Sequence, residues 1–283
     1  MQQIQSRKFL EAASVIKRLK TIQKLNQLLL DEMPQYRNQA QCFEEDVFSR
    51  RRLLRSLMNV RSPEPLKEEY LVLQDELLCA ERDEKGVVDV MELPTTSDAR
   101  IVLWQGDITR LNADAIVNAA NSALLGCFSP CHGCIDNAIH SAAGLQLREA
   151  CNRLMRAQGQ EEPTGHAKIT KGYNLPCKHV LHTVGPVITG NLTQHDCDML
   201  ASCYLSCLRL AGEYVLNSIA FCCISTGEYH FPNRKAAEIA IGVVNEFLKT
   251  NSSIKKVIFN VFKDDDLAIY QDLLNKKKHG LDA

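Results

Sequence analysis

Three cysteines and one histidine lie close together near the middle of the chain. Cys127, Cys131 and Cys134 surround His132, and glycine and proline flank the group. Thiolates and imidazole are good zinc ligands, and two thiolates neutralise the charge of the ion. Three protein ligands leave a position open for water or substrate, whereas four make a closed, structural site. The alternative is a set of buried thiols without metal, which is a weaker explanation of so dense a cluster.

Polar motifs also follow three apolar segments in the second part of the chain. They are Gly106-Asp-Ile-Thr109, Asn118-Ala-Ala-Asn121 and Ser225-Thr-Gly-Glu-Tyr-His-Phe-Pro232. A small-residue turn such as Ser225-Thr-Gly227, placed before a helix, offers backbone N–H groups and hydroxyls to a phosphate. Each motif taken alone is also an ordinary turn or helix cap.

These motifs need a sheet that brings them to one edge. Short apolar segments, partly β-branched, predict buried strands at residues 101–104, 115–117, 167–169, 179–184, 219–224 and 257–261. Helical patterns lie between and after them, at residues 135–158, 194–216, 233–250 and 264–275. Strands separated by helices predict an α/β fold with a mixed or parallel sheet covered on both faces. Ligands of such sheets bind beyond the carboxyl ends of the strands, which is where the polar motifs lie.

The N-terminal part of the chain has a different pattern. Residues 5–80 show helical periodicity that prolines 63 and 65 interrupt, and residues 92–98 are typical of a linker. We therefore expect a helical N-terminal extension over residues 1–95 and an α/β domain over residues 96–283. No function for the extension follows from its residues.

Composition limits the function classes. The 283 residues are 45% hydrophobic and 24% charged, with a formal net charge of -1, so no general field attracts nucleic acid or an anionic membrane. No apolar run is long enough to predict a membrane span. Twelve cysteines without a secretory signal indicate a reducing compartment, and we expect the cytoplasm and a monomer. The basic first thirty residues are typical of a mitochondrial transit peptide or of an amphipathic helix, and their apolar spacing favours the helix.

Taken in order, the motifs closely resemble the fingerprint of the macrodomain family. The succession is Gly106-Asp-Ile-Thr, Asn118-Ala-Ala-Asn, Asp136-Asn-Ala-Ile-His and Ile224-Ser-Thr-Gly, and the resemblance covers about residues 100–275. It implies a three-layer α/β/α sandwich that binds ADP-ribose in a cleft above the sheet.

The resemblance also implies roles for individual residues. Asp107 would accept a hydrogen bond from the adenine amine beside the Ile108 backbone, and Asn121 would bind the distal ribose. Phe231 would pack against that ribose, and residues 225–228 would surround the diphosphate. The full expected substrate site is Asp107, Ile108, Asn121, Cys134, Ile135, Asp136, Asn137, Ser225, Thr226, Gly227, Glu228 and Phe231.

The loop before Asp136 departs from the commonest macrodomain hydrolases, which have a run of glycines there. It resembles instead the zinc-containing branch of the family, whose loop carries Cys, His and Cys at the positions of Cys127, His132 and Cys134. The helical extension resembles that branch as well. The resemblance implies one zinc ion per chain on these three ligands. Cys131 is expected outside the site, because adjacent side chains of an extended chain point to opposite sides.

The resemblance implies a hydrolase that releases ADP-ribose from mono-ADP-ribosylated protein side chains, and we expect acidic ones. Asp136 is the expected catalytic residue, aided by Glu228; its alternative role is a helix-start carboxylate stabilised by the helix dipole. The resemblance also suggests a sirtuin-like transferase as companion and a lipoyl-carrier protein as target. Two alternatives stay open: a non-catalytic ADP-ribose reader with a structural zinc, and a module that binds another nucleotide or an RNA end.

Overall fold

The N-terminal extension is helical, as its periodicity predicts. A computed structural model describes the backbone of residues 2–279 and the side chains of residues 14–275. The helices are α1 (Gln2–Glu32), α2 (Arg37–Ala40), α3 (Val47–Val60) and α4 (Glu68–Lys85). Asp46 is the N-cap of α3. Its carboxylate accepts hydrogen bonds from the N–H groups of Phe48 and Ser49, which have no partner within the helix.

The extension has a small hydrophobic core of its own. The residues that fill it from α1, α3 and α4 include Ile22, Leu25, Leu29, Leu53, Leu54, Leu57, Tyr70, Leu77 and Leu78. Leu145, from the second part of the chain, is buried in the same core. The extension therefore packs directly against the rest of the protein.

A short connection leads from the extension into the α/β part. Strand β1 (Val88–Asp89) pairs in parallel with β3 (Leu111–Asn112), and Val90 is buried in the α/β core. Residues 92–98 contain no helix or strand, apart from a single bridge at Thr95. The expected boundary between residues 95 and 96 stays a prediction; packing against the α/β core begins some residues before it.

A mixed six-stranded sheet forms the centre of the α/β part. Its strands are β2 (Ile101–Gln105), β4 (Ala115–Ala120), β5 (Ala167–Lys171), β6 (His179–Val184), β7 (Ser218–Phe221) and β8 (Lys256–Val261). Their order is β2-β8-β7-β4-β6-β5, and every pair is parallel except β5 with β6. The predicted α/β fold with a mixed sheet is confirmed.

Helices lie on both faces of this sheet. They are α5 (Ile135–Ala143), α6 (Leu145–Gln158), α7 (Gln194–Glu213), α8 (Asn233–Thr250) and α9 (Asp264–His279). Tyr204 of α7 packs on Phe221 and Tyr270 of α9 packs on Phe259, and these two phenylalanines are paired neighbours on one face. The register of β4 and β7 places Asn118 on the opposite face, where it contacts α5. The result is a three-layer α/β/α sandwich.

One predicted helix is two helices in the structure. The pattern over residues 135–158 is broken at Gly144, whose φ is +95°. A Cβ there would lie 2.5 Å from the Gln146 side chain and 2.6 Å from that of Gln74 in α4. Gln74 also accepts a hydrogen bond from the Leu145 N–H at 2.9 Å. The break therefore lets the extension bind the backbone of the α/β part.

Several strand ends also differ from the expectation, and two of them bear on the cleft. β4 continues to Ala120 instead of ending at residue 117, and β7 ends at Phe221 instead of residue 224. Asn118 is consequently a strand residue, and the chain turns away from the sheet just before Ser225. Within the part of the chain that the structure describes, no helix is both long and apolar enough to cross a bilayer.

Candidate active site

A deep cleft opens at the carboxyl edge of the parallel strands. It has a volume of about 650 Å³, within the range of small-molecule sites. The residues that follow β2, β4, β7 and β8 form its walls, together with the loop before α5 and the first turn of that helix. The cleft therefore lies where parallel strands bring their loops together.

The loop before α5 brings Cys127, His132 and Cys134 together at one wall of the cleft. Their candidate ligand atoms all lie within 4.8 Å of one another, and Cys127 Sγ is 3.6 Å from His132 Nδ1. Bonds of about 2.0–2.3 Å in a tetrahedral zinc site place ligand atoms at roughly this separation. Cys134 also caps α5, where its Sγ accepts from the Asn137 N–H at 3.4 Å. Burial raises the pKa of this thiol to about 12 in the absence of a metal ion, although the Asn137 contact opposes the rise. These residues fit a zinc ion.

Cys131 lies outside this group. Its φ is +53°, and its Sγ points toward α3, 3.3 Å from Ser56 Oγ and 3.6 Å from the Arg52 carbonyl oxygen. A left-handed backbone thus turns Cys131 away from its neighbours, in place of the extended backbone that the sequence suggested. Because the Cys131 sulfur faces α3, the candidate metal ligands on the cleft side are Cys127, His132 and Cys134.

Asp136 lies in the first turn of α5 and is almost fully buried at the base of the cleft. Its Oδ1 accepts from Asn118 Nδ2 at 2.8 Å, and its Oδ2 accepts from Asn121 Nδ2 at 3.4 Å. The two amides fix the direction of the carboxyl group. Burial raises the pKa of Asp136 to about 6, although the Asn118 hydrogen bond opposes this rise.

A buried polar group supports Asn118 from behind. Asn118 Nδ2 is 3.2 Å from His182 Nδ1, and His182 Nε2 is 2.9 Å from Thr170 Oγ1. His140 lies beside both Asp136 and His182, with its Nε2 3.5 Å from Asp136 Oδ1. Burial lowers the pKa of both histidines, that of His182 to about 3, so both imidazoles are neutral.

The turn after β7 forms a second wall. Ser225, Thr226, Gly227 and Glu228 all line the cleft. Ser225 has a φ of +63°, and the turn is closed by a 2.9 Å hydrogen bond from the Phe231 N–H to the Ser225 carbonyl oxygen. A Cβ at Gly227 would meet no atom within 4 Å, so the space above this residue is open to a ligand. A turn of small residues can present backbone N–H groups to an anion, and the expected phosphate contact stays a prediction.

Asp107 and Ile108 form the opposite end of the cleft. Asp107 Oδ1 accepts from the Thr109 N–H at 3.0 Å and from Thr109 Oγ1 at 2.7 Å, which caps a 3₁₀ helix. Its second carboxylate oxygen is free of these contacts and can accept from a ligand amine. Phe262, directly after β8, is 76% exposed at this end.

Some expected site residues lie elsewhere, and others are new. Phe231 is 1% exposed in the hydrophobic core, and Tyr229 lines the cleft in its place. Asn137 is also buried and lies behind the wall, where it binds the loop backbone. Neither Phe231 nor Asn137 is among the residues that line the cleft, and their expected contacts with a ligand stay predictions. Phe262 directly follows β8, and this position is the sequence signal that could have identified it. Tyr229 is half-buried and lies eight residues beyond β7, so no comparable signal points to it.

Glu228 and the loop histidine face each other across the cleft. Glu228 Oε1 is 3.6 Å from His132 Nε2, and its side chain is 66% exposed. Asn121 and Ile135 also line the cleft between these walls. An elongated ligand can thus place one end at Asp107, a phosphate at the Ser225 turn, and a reactive carbon near Asp136 and the three candidate metal ligands.

Several known proteins are similar to this chain over most of its length. The sequence profile described as the Macro domain matches residues 117–240. The protein-ADP-ribose hydrolase of Treponema medium is 50% identical over 254 residues, which cover 89% of this chain and 97% of that protein. The protein of that name from Staphylococcus aureus strain MSSA476 is 50% identical over 225 residues, covering 79% and 84%. The structure of the Trypanosoma brucei macrodomain in complex with ADP-ribose is 34% identical, with a TM-score of 0.60, and covers 77% of this chain and 94% of that one.

Proposed function

The chain belongs to the Macro domain family, and on this premise we propose that it is a zinc-dependent hydrolase that releases ADP-ribose from mono-ADP-ribosylated proteins. It is a hydrolase, as its relatives at 50% identity are. Zinc dependence and the release of ADP-ribose from modified proteins are proposed on one observation: Asp136 lies beside Cys127, His132 and Cys134 in one cleft.

The cleft supports a defined orientation of ADP-ribose. The free carboxylate oxygen of Asp107 accepts from the adenine amine, a charge-assisted bond that guanine, with a carbonyl there, does not offer. The turn at residues 225–228 surrounds the diphosphate with backbone donors. The distal ribose then lies beside Asn121 and the loop before α5, next to Asp136.

Asp136 acts on the bond between the anomeric carbon and the protein side chain. Its carboxylate is fixed by Asn118 and Asn121, so a free lone pair can accept a proton from a water molecule. The water oxygen bonds to the anomeric carbon, and the bond from that carbon to the side-chain oxygen breaks. A protein carboxylate leaves with the bonding electrons. Glu228, at the mouth of the cleft, assists in orienting this water.

Cys127, His132 and Cys134 are the residues that would hold zinc, one ion per chain. When bound, the ion supplies a Lewis acid beside the distal ribose; because two thiolates donate charge to it, positioning matters more than activation of water. An acidic side chain is the proposed site of modification. A sirtuin-like transferase as companion and a lipoyl-carrier protein as target are part of the same proposal, since the sequence resembles the zinc-containing branch.

The test is release of free ADP-ribose from a protein that carries the group on glutamate. We expect one zinc per chain, turnover by the purified protein, and loss of turnover with a chelator. Asp136→Ala should reduce turnover by about 10²–10⁴-fold, the usual contribution of a positioned base, while zinc content and ADP-ribose binding persist. Binding of ADP-ribose without any release would instead identify a reader. Tighter binding of oligoadenylate than of ADP-ribose would identify a module for RNA ends.

A further inference from the structure

The loop that carries the candidate metal ligands has little backbone structure of its own. The structure describes all of residues 127–134. Within this range a single backbone hydrogen bond joins two loop residues, from the His132 N–H to the Ser129 carbonyl oxygen at 3.3 Å. Cys131 moreover has a left-handed backbone, which is a strained conformation for a residue other than glycine. A loop of this kind needs contacts from outside to keep one conformation.

Those contacts come from one face of α3 in the helical extension. Asn59 Oδ1 accepts from the Cys131 N–H at 2.8 Å, and Asn59 Nδ2 donates to Ser141 Oγ of α5 at 3.1 Å. Asn59 is 2% exposed, so both ends of its amide are buried and used. The amide therefore links the strained residue of the loop to the helix that carries Asp136.

Arg55, one turn earlier in α3, acts on the other side of the same loop. Its Nη2 donates to Asn137 Oδ1 at 2.7 Å and to the His132 carbonyl oxygen at 3.4 Å. Asn137 in turn donates from Nδ2 to the Ser129 carbonyl oxygen at 3.0 Å. Backbone groups of Ser129, Cys131 and His132 are thus bound by side chains that belong to α3 or are oriented by it.

We propose that Asn59 and Arg55 are positioning residues for the metal site, and that the helical extension is in this way a working part of it. By fixing the backbone of Cys131 and His132, they direct the His132 ring toward Cys127 and Cys134. Neither side chain lines the cleft wall near the ligands, so they act through the loop and not on the substrate. The inference rests on the proposed zinc site.

The experiment compares Asn59→Ala, Asn59→Asp and Asn26→Ala in the full chain. Asn59→Asp retains an acceptor for the Cys131 N–H, and the Ser141 hydroxyl, which donates to Asn137 Oδ1 at 3.3 Å, can turn toward its second oxygen. We therefore expect Asn59→Asp to rescue the loop. Asn26 is the matched control: it is a buried asparagine of the extension that donates to the Arg50 carbonyl oxygen at 2.9 Å, on a part of α3 away from the loop. Any general loss of stability should be shared by the two alanine variants.

Two measurements are made, and only one needs zinc. Transfer of zinc to a chelator should be about tenfold faster for Asn59→Ala than for Asn26→Ala or Asn59→Asp, as expected for loss of a buried hydrogen bond that holds a strained residue. Amide exchange at Cys131 in zinc-free protein should be faster in Asn59→Ala alone. Arg55→Met should likewise speed zinc loss. Its control is Arg51→Met, which breaks the ion pair of Arg51 with Glu81.

The outcomes separate this inference from the proposed function. Equal zinc release and equal Cys131 exchange in Asn59→Ala and the control would overturn the inference while leaving a zinc-binding hydrolase intact. Absence of zinc from the unaltered protein would overturn the proposed zinc site, and the exchange measurement would still show whether Asn59 fixes the loop. Failure of Asn59→Asp to rescue either measurement would show that the lost acceptor is not the cause.

Discussion

The polar side chains of the cleft are fixed by partners within the protein before any ligand binds. Asp107 accepts from Thr109, and Asp136 accepts from Asn118 and Asn121. Groups that are already in place lose little conformational freedom on binding, so their contacts contribute more fully to affinity. Conservative substitutions at these positions can separate the contact with a ligand from the contact that orients the side chain.

At Asp107 this separation can be tested directly. Asp107→Ala should weaken ADP-ribose binding by about 1–3 kcal/mol, the range for loss of a bond to a charged group. Asp107→Asn keeps an oxygen for the Thr109 cap but replaces the other oxygen by an N–H donor that faces the adenine amine. It should therefore weaken binding as well, with unfolding free energy unchanged. Calorimetric titration and urea unfolding measure the two effects, and unaltered affinity in both variants would show that adenine binds elsewhere.

Cys131 tests the number of metal ligands. Its sulfur faces Ser56 and the Arg52 carbonyl group, so Cys131→Ser should keep the full zinc content and turnover. Cys127→Ser and Cys134→Ser should lose both, because two remaining ligands hold zinc poorly. Metal analysis after dialysis against a weak chelator measures this. Zinc loss in Cys131→Ser would mean a closed four-ligand site and a structural ion.

Sequence reasoning at the scale of residues works where a motif directly follows a strand. Asp107, Asn121 and Ser225 meet in the cleft because parallel strands end at one edge. It is less informative where the direction of a side chain depends on the exact course of a turn. Phe231 lies two residues beyond Tyr229, and only the closed turn after Ser225 decides which aromatic side chain points to the core and which to the cleft.

At the scale of elements, periodicity identifies the sheet and most helices. The pattern at residues 179–184 and that at residues 233–250 coincide with β6 and α8. The break at Gly144 was not predicted, although a glycine inside a helical pattern is a local signal for it. Its contact with Gln74, a residue of the extension that lies far away in sequence, could not be predicted from local patterns. The contacts of α3 with the loop at residues 127–134 were not predicted either, because they also join residues that lie far apart in sequence. Local patterns carry no information on which distant side chain satisfies a backbone group.

Arg148 of α6 joins three elements and carries the next prediction. It is 2% exposed, and it donates from Nε to the Leu125 carbonyl oxygen and from Nη1 to the carbonyl groups of Met58, Asn59 and Arg61 at the end of α3. Burial lowers the pKa of Arg148 to about 10, so it keeps its charge at neutral pH. The unpaired carbonyls and the negative dipole end of α3 stabilise that charge.

Removing this guanidinium leaves those buried carbonyl groups without donors. Arg148→Met should therefore lower the free energy of unfolding by about 3–5 kcal/mol, as breaking buried charged contacts does. Arg153→Met is the matched control in the same helix, because Arg153 is exposed and its ion pair with Glu149 contributes about 0.3–0.5 kcal/mol. Urea unfolding measures both, and equal effects of the two variants would contradict this account.

At the scale of the whole molecule, two hydrophobic cores share a polar boundary near the cleft. The extension has one core and the sandwich the other, and Leu145 is buried in the first although it belongs to α6. Polar groups near the boundary are deeply buried, including His140, Asp136 and Arg148. Such groups make the stability of the entire fold depend on pH, because the folded and unfolded chains bind different numbers of protons.

His182 gives the sign of that dependence. Burial lowers its pKa from 6.5 to about 3, and the pKa of His140 is lowered as well, so unfolded chains take up protons below pH 6.5 that the folded protein does not. The unfolding free energy should therefore fall as the pH decreases from 6.5, by roughly 1 kcal/mol for His182 between pH 7.5 and 5.5. Asp136, whose pKa is raised to about 6, offsets part of this loss. In zinc-free protein, His182→Gln should reduce the difference between the two pH values by that amount, whereas exposed His166→Gln should not. Equal pH dependence of His182→Gln and the unaltered chain would mean that His182 is charged in the fold.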